Sequence, residues 1–65
     1  MTDFIMVTAR GSHSKTLINV KNITQVMGME AYGSQLQHFD GEEVVTRQII
    51  ETPEEVLALI NQPPF

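Results

Sequence analysis

Asp40-Gly41 is the stretch that most constrains how this chain can fold. Gln35-Leu36-Gln37-His38-Phe39 runs into it, and Glu42 to Ile50 runs out. An Asp-Gly pair between two strand-like runs signals a tight β-hairpin, because the primed two-residue turn needs positive φ at both central positions. Straight after the second run, Thr52-Pro53-Glu54-Glu55 reads as a helix start. Thr52 can cap the free backbone N–H groups, Pro53 fits the first helical position, and Glu55 completes a T-x-x-E capping box. Glu54 and Glu55 also sit where the helix dipole favours negative charge. Val56, Leu57, Leu59 and Ile60 predict one apolar stripe. Asn61 ends the helix and Pro63-Pro64 forbid its continuation.

The upstream half reads as two further hairpin arms and a third strand. Asp3 to Thr8 is a first strand, apolar on both faces and so expected to be central or covered. Ala9 to Ser14 is a polar turn in which Gly11 can take positive φ. Lys15 to Val20 is the returning strand. The asparagines at 19 and 22 bond back to nearby backbone, which predicts a tight or 3₁₀ turn there. Ile23 to Glu30 is the third strand, with Ile23 and Gln25 on one face and Thr24 and Val26 on the other, and Gly28 suggests a bulge or a close backbone approach. Ala31 to Ser34 turns the chain into the Asp40-Gly41 hairpin. In the last arm both faces carry apolar residues, so packing on both sides is expected. The expected fold is α+β, mainly β. About five short antiparallel strands (3–8, 15–20, 23–30, 34–39 and 42–50) form a small twisted sheet or partial barrel, closed by one C-terminal helix (53–61) and followed by a tail (62–65).

Sixty-five residues make one domain. A chain this short buries only about 60% of its unfolded surface, so its core needs support from disulfides, metal or a partner subunit. There is no cysteine, and His13 and His38 are the only imidazoles. Disulfides and thiolate zinc sites are therefore excluded, no cofactor is expected, and oligomerisation is the remaining support.

The net charge is −4, with four basic and eight acidic residues. Bases scattered at Arg10, Lys15, Lys21 and Arg47 make a poor phosphate-backbone binder, so nucleic acid ranks last among partners. Met1-Thr2-Asp3-Phe4 lacks the basic start of a signal peptide, and the apolar run Phe4 to Val7 is far too short for a membrane span. The expectation is a cytoplasmic protein.

Several residues carry candidate chemistry, each with a plainer reading beside it. His38 and Asp40 form the one histidine–carboxylate pair close in sequence, but a general base also needs a nucleophile or pocket, and an exposed hairpin histidine is the plainer reading. Arg10-Gly11-Ser12-His13-Ser14 holds the donors for a phosphate cradle, against a solvated turn. Arg47, alternating with Val45 and Ile49, is either an interface or ligand residue or a charge guarding an edge strand. Tyr32 offers a ring for stacking, against a turn aromatic covering the sheet end. Met1, Met6, Met27 and Met29 read as core filler. The tail with Phe65 either folds back on the sheet or offers a docking peptide.

With these elements in order, a family resemblance emerges. Ile18-Asn19 with Ile23 and Val26, then Asp40-Gly41-Glu42-Glu43-Val44-Val45, then Thr52-Pro53-Glu54-Glu55-Val56 resemble the small flagellar and swarming-motility proteins of the FlbD type. That family shares an I-N-x-x-x-I-x-x-V strand, a hairpin with its glycine, and a closing helix, over roughly residues 5 to 60 here. The resemblance implies a bacterial or phage accessory protein acting on a larger partner. The first half of the LytTR DNA-binding domain is also similar, but its DNA-contacting segment would begin where Pro63-Pro64-Phe65 stands.

No nucleophile–base–acid set, metal cluster or phosphate loop is legible, so the expected function is non-enzymatic. The leading expectation is a homo-oligomeric protein-interaction module whose edge strands and Arg47 face make the contacts. The alternative is an oligomer that binds a small anion or nucleotide between subunits, with Arg10, Ser12, His13 and Arg47 as polar contacts and Tyr32 and His38 beside them.

Overall fold

The computed structural model describes residues 3–62; Met1, Thr2 and the tail residues Pro63, Pro64 and Phe65 lie outside the described residues. The described chain is mainly β. Its elements are β1 (Phe4–Thr8), β2 (Lys15–Asn19), a 3₁₀ turn (Val20–Asn22), β3 (Ile23–Gly28), β4 (Ser34–Phe39), β5 (Val44–Ile49) and α1 (Pro53–Ile60). Two antiparallel sheets result, β1-β2 and β3-β4-β5.

One bridge, Ala9 to Ile49, joins them. It is flanked by Arg10 N–H donating to the Gln48 carbonyl at 2.9 Å and Ile50 N–H donating to the Thr8 carbonyl at 3.0 Å. β1 and β5 therefore meet at one corner and then diverge. Helix α1 packs against β1 and β3. The five antiparallel strands and the closing C-terminal helix are those expected from the sequence, arranged as two bridged sheets.

The two sheets share one core. Ile5, Val7, Ile18, Leu36, Ile49 and Val56 are buried, and Val20, Ile23, Val26, Leu59 and Ile60 pack against them half-buried. Leu57 is exposed, so the stripe of α1 runs through Val56, Leu59 and Ile60, three and four residues apart, and excludes Leu57. The start of α1 forms as its residues dictate. Glu55 N–H donates to Thr52 Oγ1 at 3.1 Å, and Thr52 N–H donates to Glu55 Oε1 at 2.9 Å. Asn19 Oδ1 accepts the Lys21 N–H at 3.0 Å, which fixes the 3₁₀ turn.

Several expectations are corrected. The Asp40-Gly41 turn is not a two-residue turn: Phe39 pairs with Val44, Asp40 N–H donates to the Glu43 carbonyl, and positive φ occurs at Gly41 but not Asp40. Asp40 Oδ1 instead accepts the N–H groups of Glu42 and Glu43, both at 2.9 Å, so the aspartate side chain closes a four-residue loop. The bulge of β3 falls between Ile23 and Gln25 rather than at Gly28. It turns Ile23 and Val26 together toward the core. At Gly28 an added Cβ would stand 3.5 Å from the Pro53 ring, an ordinary contact with the start of α1. β1 and β5 are covered on one face only. Phe4 and Met6 stay about half exposed while Ile5 and Val7 are buried, and Val44, Thr46 and Gln48 are exposed while Ile49 is buried. Met6 and Met27 are exposed too, so neither fills the core.

Candidate functional site

Arg10 stands where the β1–β2 turn meets the rest of the molecule. Its N–H is held by β5 at Gln48, its guanidinium carbon lies 4.3 Å from the centroid of the Tyr32 ring, and its Nη1 donates to Met29 Sδ at 3.3 Å. Two of the candidate residues, Arg10 and Tyr32, are thus brought together, as a cation–π pair contributing about 0.5–1 kcal/mol. Ser12 and His13 do not join them. Ser12 Oγ donates to Ser14 Oγ at 3.2 Å and accepts the Ser14 N–H at 3.3 Å, so these hydroxyls brace their own turn. His13 is exposed with φ of 62°, next to Gly11 with φ of 97°. The loop is a braced turn rather than a phosphate cradle.

His38 and Arg47 form the second pair, and here the expectation of an exposed hairpin histidine fails. His38 is buried, because Ser34, Leu36 and His38 share the inner face of β4, opposite Ile49, Arg47 and Val45 of β5. Arg47 Nε donates to His38 Nε2 at 2.9 Å. The acceptor nitrogen is unprotonated, so the imidazole proton sits on Nδ1. Asp40 is exposed in the turn, and its carboxylate sits below its usual pKa chiefly because it accepts the Glu43 N–H and then the Glu42 N–H. No hydrogen bond or ring contact joins the Arg10–Tyr32 pair to the His38–Arg47 pair among the described residues.

A third feature escaped the reading of the sequence. A groove of about 480 Å³ is lined by Met6, Glu51, Glu55, Ala58, Leu59 and Gln62. Glu51 Oε1 accepts the Thr8 N–H at 2.9 Å, closing the edge of β1 where β5 leaves it. The signal for this wall is a second helical spacing: Glu55, Ala58, Leu59 and Gln62 stand at i, i+3, i+4 and i+7. Glu51 had no such signal, since its contact spans 43 positions of sequence.

Among the described residues, no group of three or more His, Asp or Glu is placed to hold a metal ion, and no helix is long and apolar enough to cross a membrane. No protein-family model matches the chain, and comparison with curated proteins and with solved structures finds no match.

Proposed function

We propose that this chain is a non-enzymatic protein-interaction module that works as a homo-oligomer. The observation that carries the reading is the outer face of the β1–β2 hairpin. Phe4, Met6 and Leu17 lie there at 49%, 50% and 59% exposure, with Met6 directly opposite Leu17. Leaving three large apolar side chains in water beside so small a core argues for a partner.

A second copy can meet this hairpin along its β2 edge, which brings Leu17 into the contact and leaves Phe4 and Met6 on β1 outside it. The bonds Ala9 N–H to Ser14 and Val20 N–H to Asp3 set the alternation of the hairpin, so Lys15, Leu17 and Asn19 turn their backbone groups away from β1. Two β2 edges paired antiparallel about a twofold axis at Leu17 would extend the sheet across both copies. Leu17 would meet Leu17 of the second copy, and Lys15 would meet Asn19, so no like charges stand opposite. Native mass spectrometry with Leu17→Glu tests it. The native chain is expected as an oligomer. The variant, which sets two carboxylates against each other, is expected as a folded monomer. An oligomer of Leu17→Glu would remove this interface.

One observation favours the ligand-binding alternative. Arg47 is exposed and is held to His38 through Nε, which leaves its terminal nitrogens for a carboxylate or phosphate. Extra mass in the native spectrum, lost in Arg47→Gln, would move the reading to that class. The resemblance to the FlbD type supports a bacterial or phage accessory role toward a larger partner. A cysteine-free chain suits a cytoplasmic setting.

A further inference from the structure

We infer that the groove between β1 and α1 receives an arginine side chain from a partner protein, its stem on Met6, Ala58 and Leu59 and its guanidinium between Glu51 and Glu55. The inference rests on the interaction-module reading and names the chemistry of the larger partner.

The two carboxylates are already fixed. Glu51 Oε1 holds the Thr8 N–H and Glu55 Oε1 holds the Thr52 N–H, both at 2.9 Å. The second oxygen of each carries no bond among the described residues, so a cation can be bound without first ordering the side chains that hold it. Apolar lining beside fixed acids suits an amphipathic cation, whose methylenes cover apolar surface while its head meets the charge. A planar, weakly hydrated guanidinium fits two carboxylates better than an ammonium does. The net charge of −4 favours approach of a basic segment.

The chain's own bases argue for a different protein over a second copy. Arg10 rests on Tyr32 and Met29, Arg47 donates to His38, and Lys15 Nζ donates to Thr8 Oγ1 at 2.8 Å. Only Lys21 has no side-chain partner among the described residues. The groove lies on the α1 side of β1 and the proposed self-pairing edge lies on β2, so both can be occupied at once.

The test is an amide NMR titration of the full chain with an acetylated, amidated tripeptide of one arginine between two leucines. The same tripeptide with citrulline in place of arginine is the uncharged control. The arginine peptide is expected to move the amides of Met6, Glu55, Ala58 and Leu59, and the citrulline peptide to leave them still. Glu51→Gln and Glu55→Gln are each expected to weaken binding roughly tenfold or more, as for one charge-assisted bond. Both variants keep an acceptor oxygen for Thr8 or Thr52, and glutamine serves a capping box as glutamate does. Equal shifts with citrulline, shifts confined to other residues, or full affinity in both variants would overturn the inference. So would concentration-dependent shifts at these residues without peptide that vanish in Lys21→Gln, since a second copy would then fill the groove. The mass spectrum of Leu17→Glu reads the oligomer separately, so a silent titration beside an intact oligomer removes the groove inference alone.

Discussion

The outer faces of the two sheets differ in where they place their apolar residues. On β1-β2 the outward side chains are Phe4, Met6 and Leu17, with Lys15 and Asn19 beside Leu17 on β2. On β3-β4-β5 they are mixed: Gln25, Gln35, Gln37, Thr46 and Gln48 fill the middle, with Gln25 opposite Gln37 and Gln35 opposite Gln48, while Met27, Phe39 and Val44 stay exposed toward the margins. Both sheets place aliphatic residues inward on the same core, so the difference lies wholly in what each shows to the surroundings. An amide face can remain hydrated at little cost, whereas an apolar one gains about 25 cal/mol for each Å² it buries. The larger sheet keeps amides in the middle of its outer face and its exposed apolar residues at the margins, whereas the smaller one sets Met6 against Leu17 in the middle.

The shared core makes the two sheets one cooperative unit, and Gly33→Ala is the change expected to disrupt that unit most severely. Gly33 has φ of +79°, and an added Cβ would run into the Ile49 carbonyl oxygen and stand 3.1 Å from Ile50 Cα. Both obstacles are backbone, at the strand end that bridges to Ala9. The left-handed penalty and the overpacking together are expected to cost about 3–5 kcal/mol, comparable with the whole stability of a chain this size. Gly41→Ala is the control: φ is +108° but nothing lies within 4 Å, so about 1–2 kcal/mol is expected. Urea melts followed by amide exchange check this. If β1-β2 amides stayed protected while β3-β4-β5 lost protection, the sheets would be separate units and the shared-core argument would fall.

Gly33 also marks how far the sequence could be read. The order of the strands and the helix was legible because it depends on local signals: alternation, turn residues, and the Thr52–Glu55 box. The bounds were less so, since β3 stops at Gly28 rather than Glu30 and β5 starts at Val44 rather than Glu42. Which face each strand covers was not legible for β1 and β5, since Phe4-Ile5-Met6-Val7 is apolar throughout and only the position of α1 decides its inner side. The burial of His38 was missed because its partner, Arg47, arrives from the next strand. Arg10 and Tyr32 could be singled out as chemical groups, but their meeting depends on how the β1–β2 turn docks on the other sheet. The groove depends on Glu51 reaching Thr8, a contact with no local signature.

A smaller change sharpens the contrast between the faces. Gln37→Glu alters the centre of the amide face opposite Gln25 and Thr46, with no like charge directly across. It is expected to change stability by less than about 0.5 kcal/mol and to leave the oligomer intact, while Leu17→Glu dissociates it with a similarly small effect on the fold. Analytical ultracentrifugation of both variants at one concentration makes the comparison. Dissociation by Gln37→Glu would mean that the middle of this face is itself an interface, and the distinction between the two sheets would be lost.

The smallest expected effect separates the two hairpin turns by pH. The β4–β5 turn is closed by the Asp40 carboxylate, whose pKa is lowered chiefly by the Glu43 N–H and then by the Glu42 N–H. The β1–β2 turn is braced by the Ser12 hydroxyl, which does not titrate as acid is added. A carboxyl with a lowered folded pKa stabilises the fold above its unfolded value of about 3.9, and that contribution is lost as pH falls through the folded value. Between pH 5 and 2.5 the amide signals of Glu42 and Glu43 should therefore titrate together, with Ser14 unmoved. Asp40→Asn keeps an acceptor oxygen for both N–H groups but removes the charge, so those two signals should become insensitive to acid. If they still titrate in the variant, the turn is responding to some other carboxyl. Asp40 would then act in that turn as an acceptor whose charge is incidental.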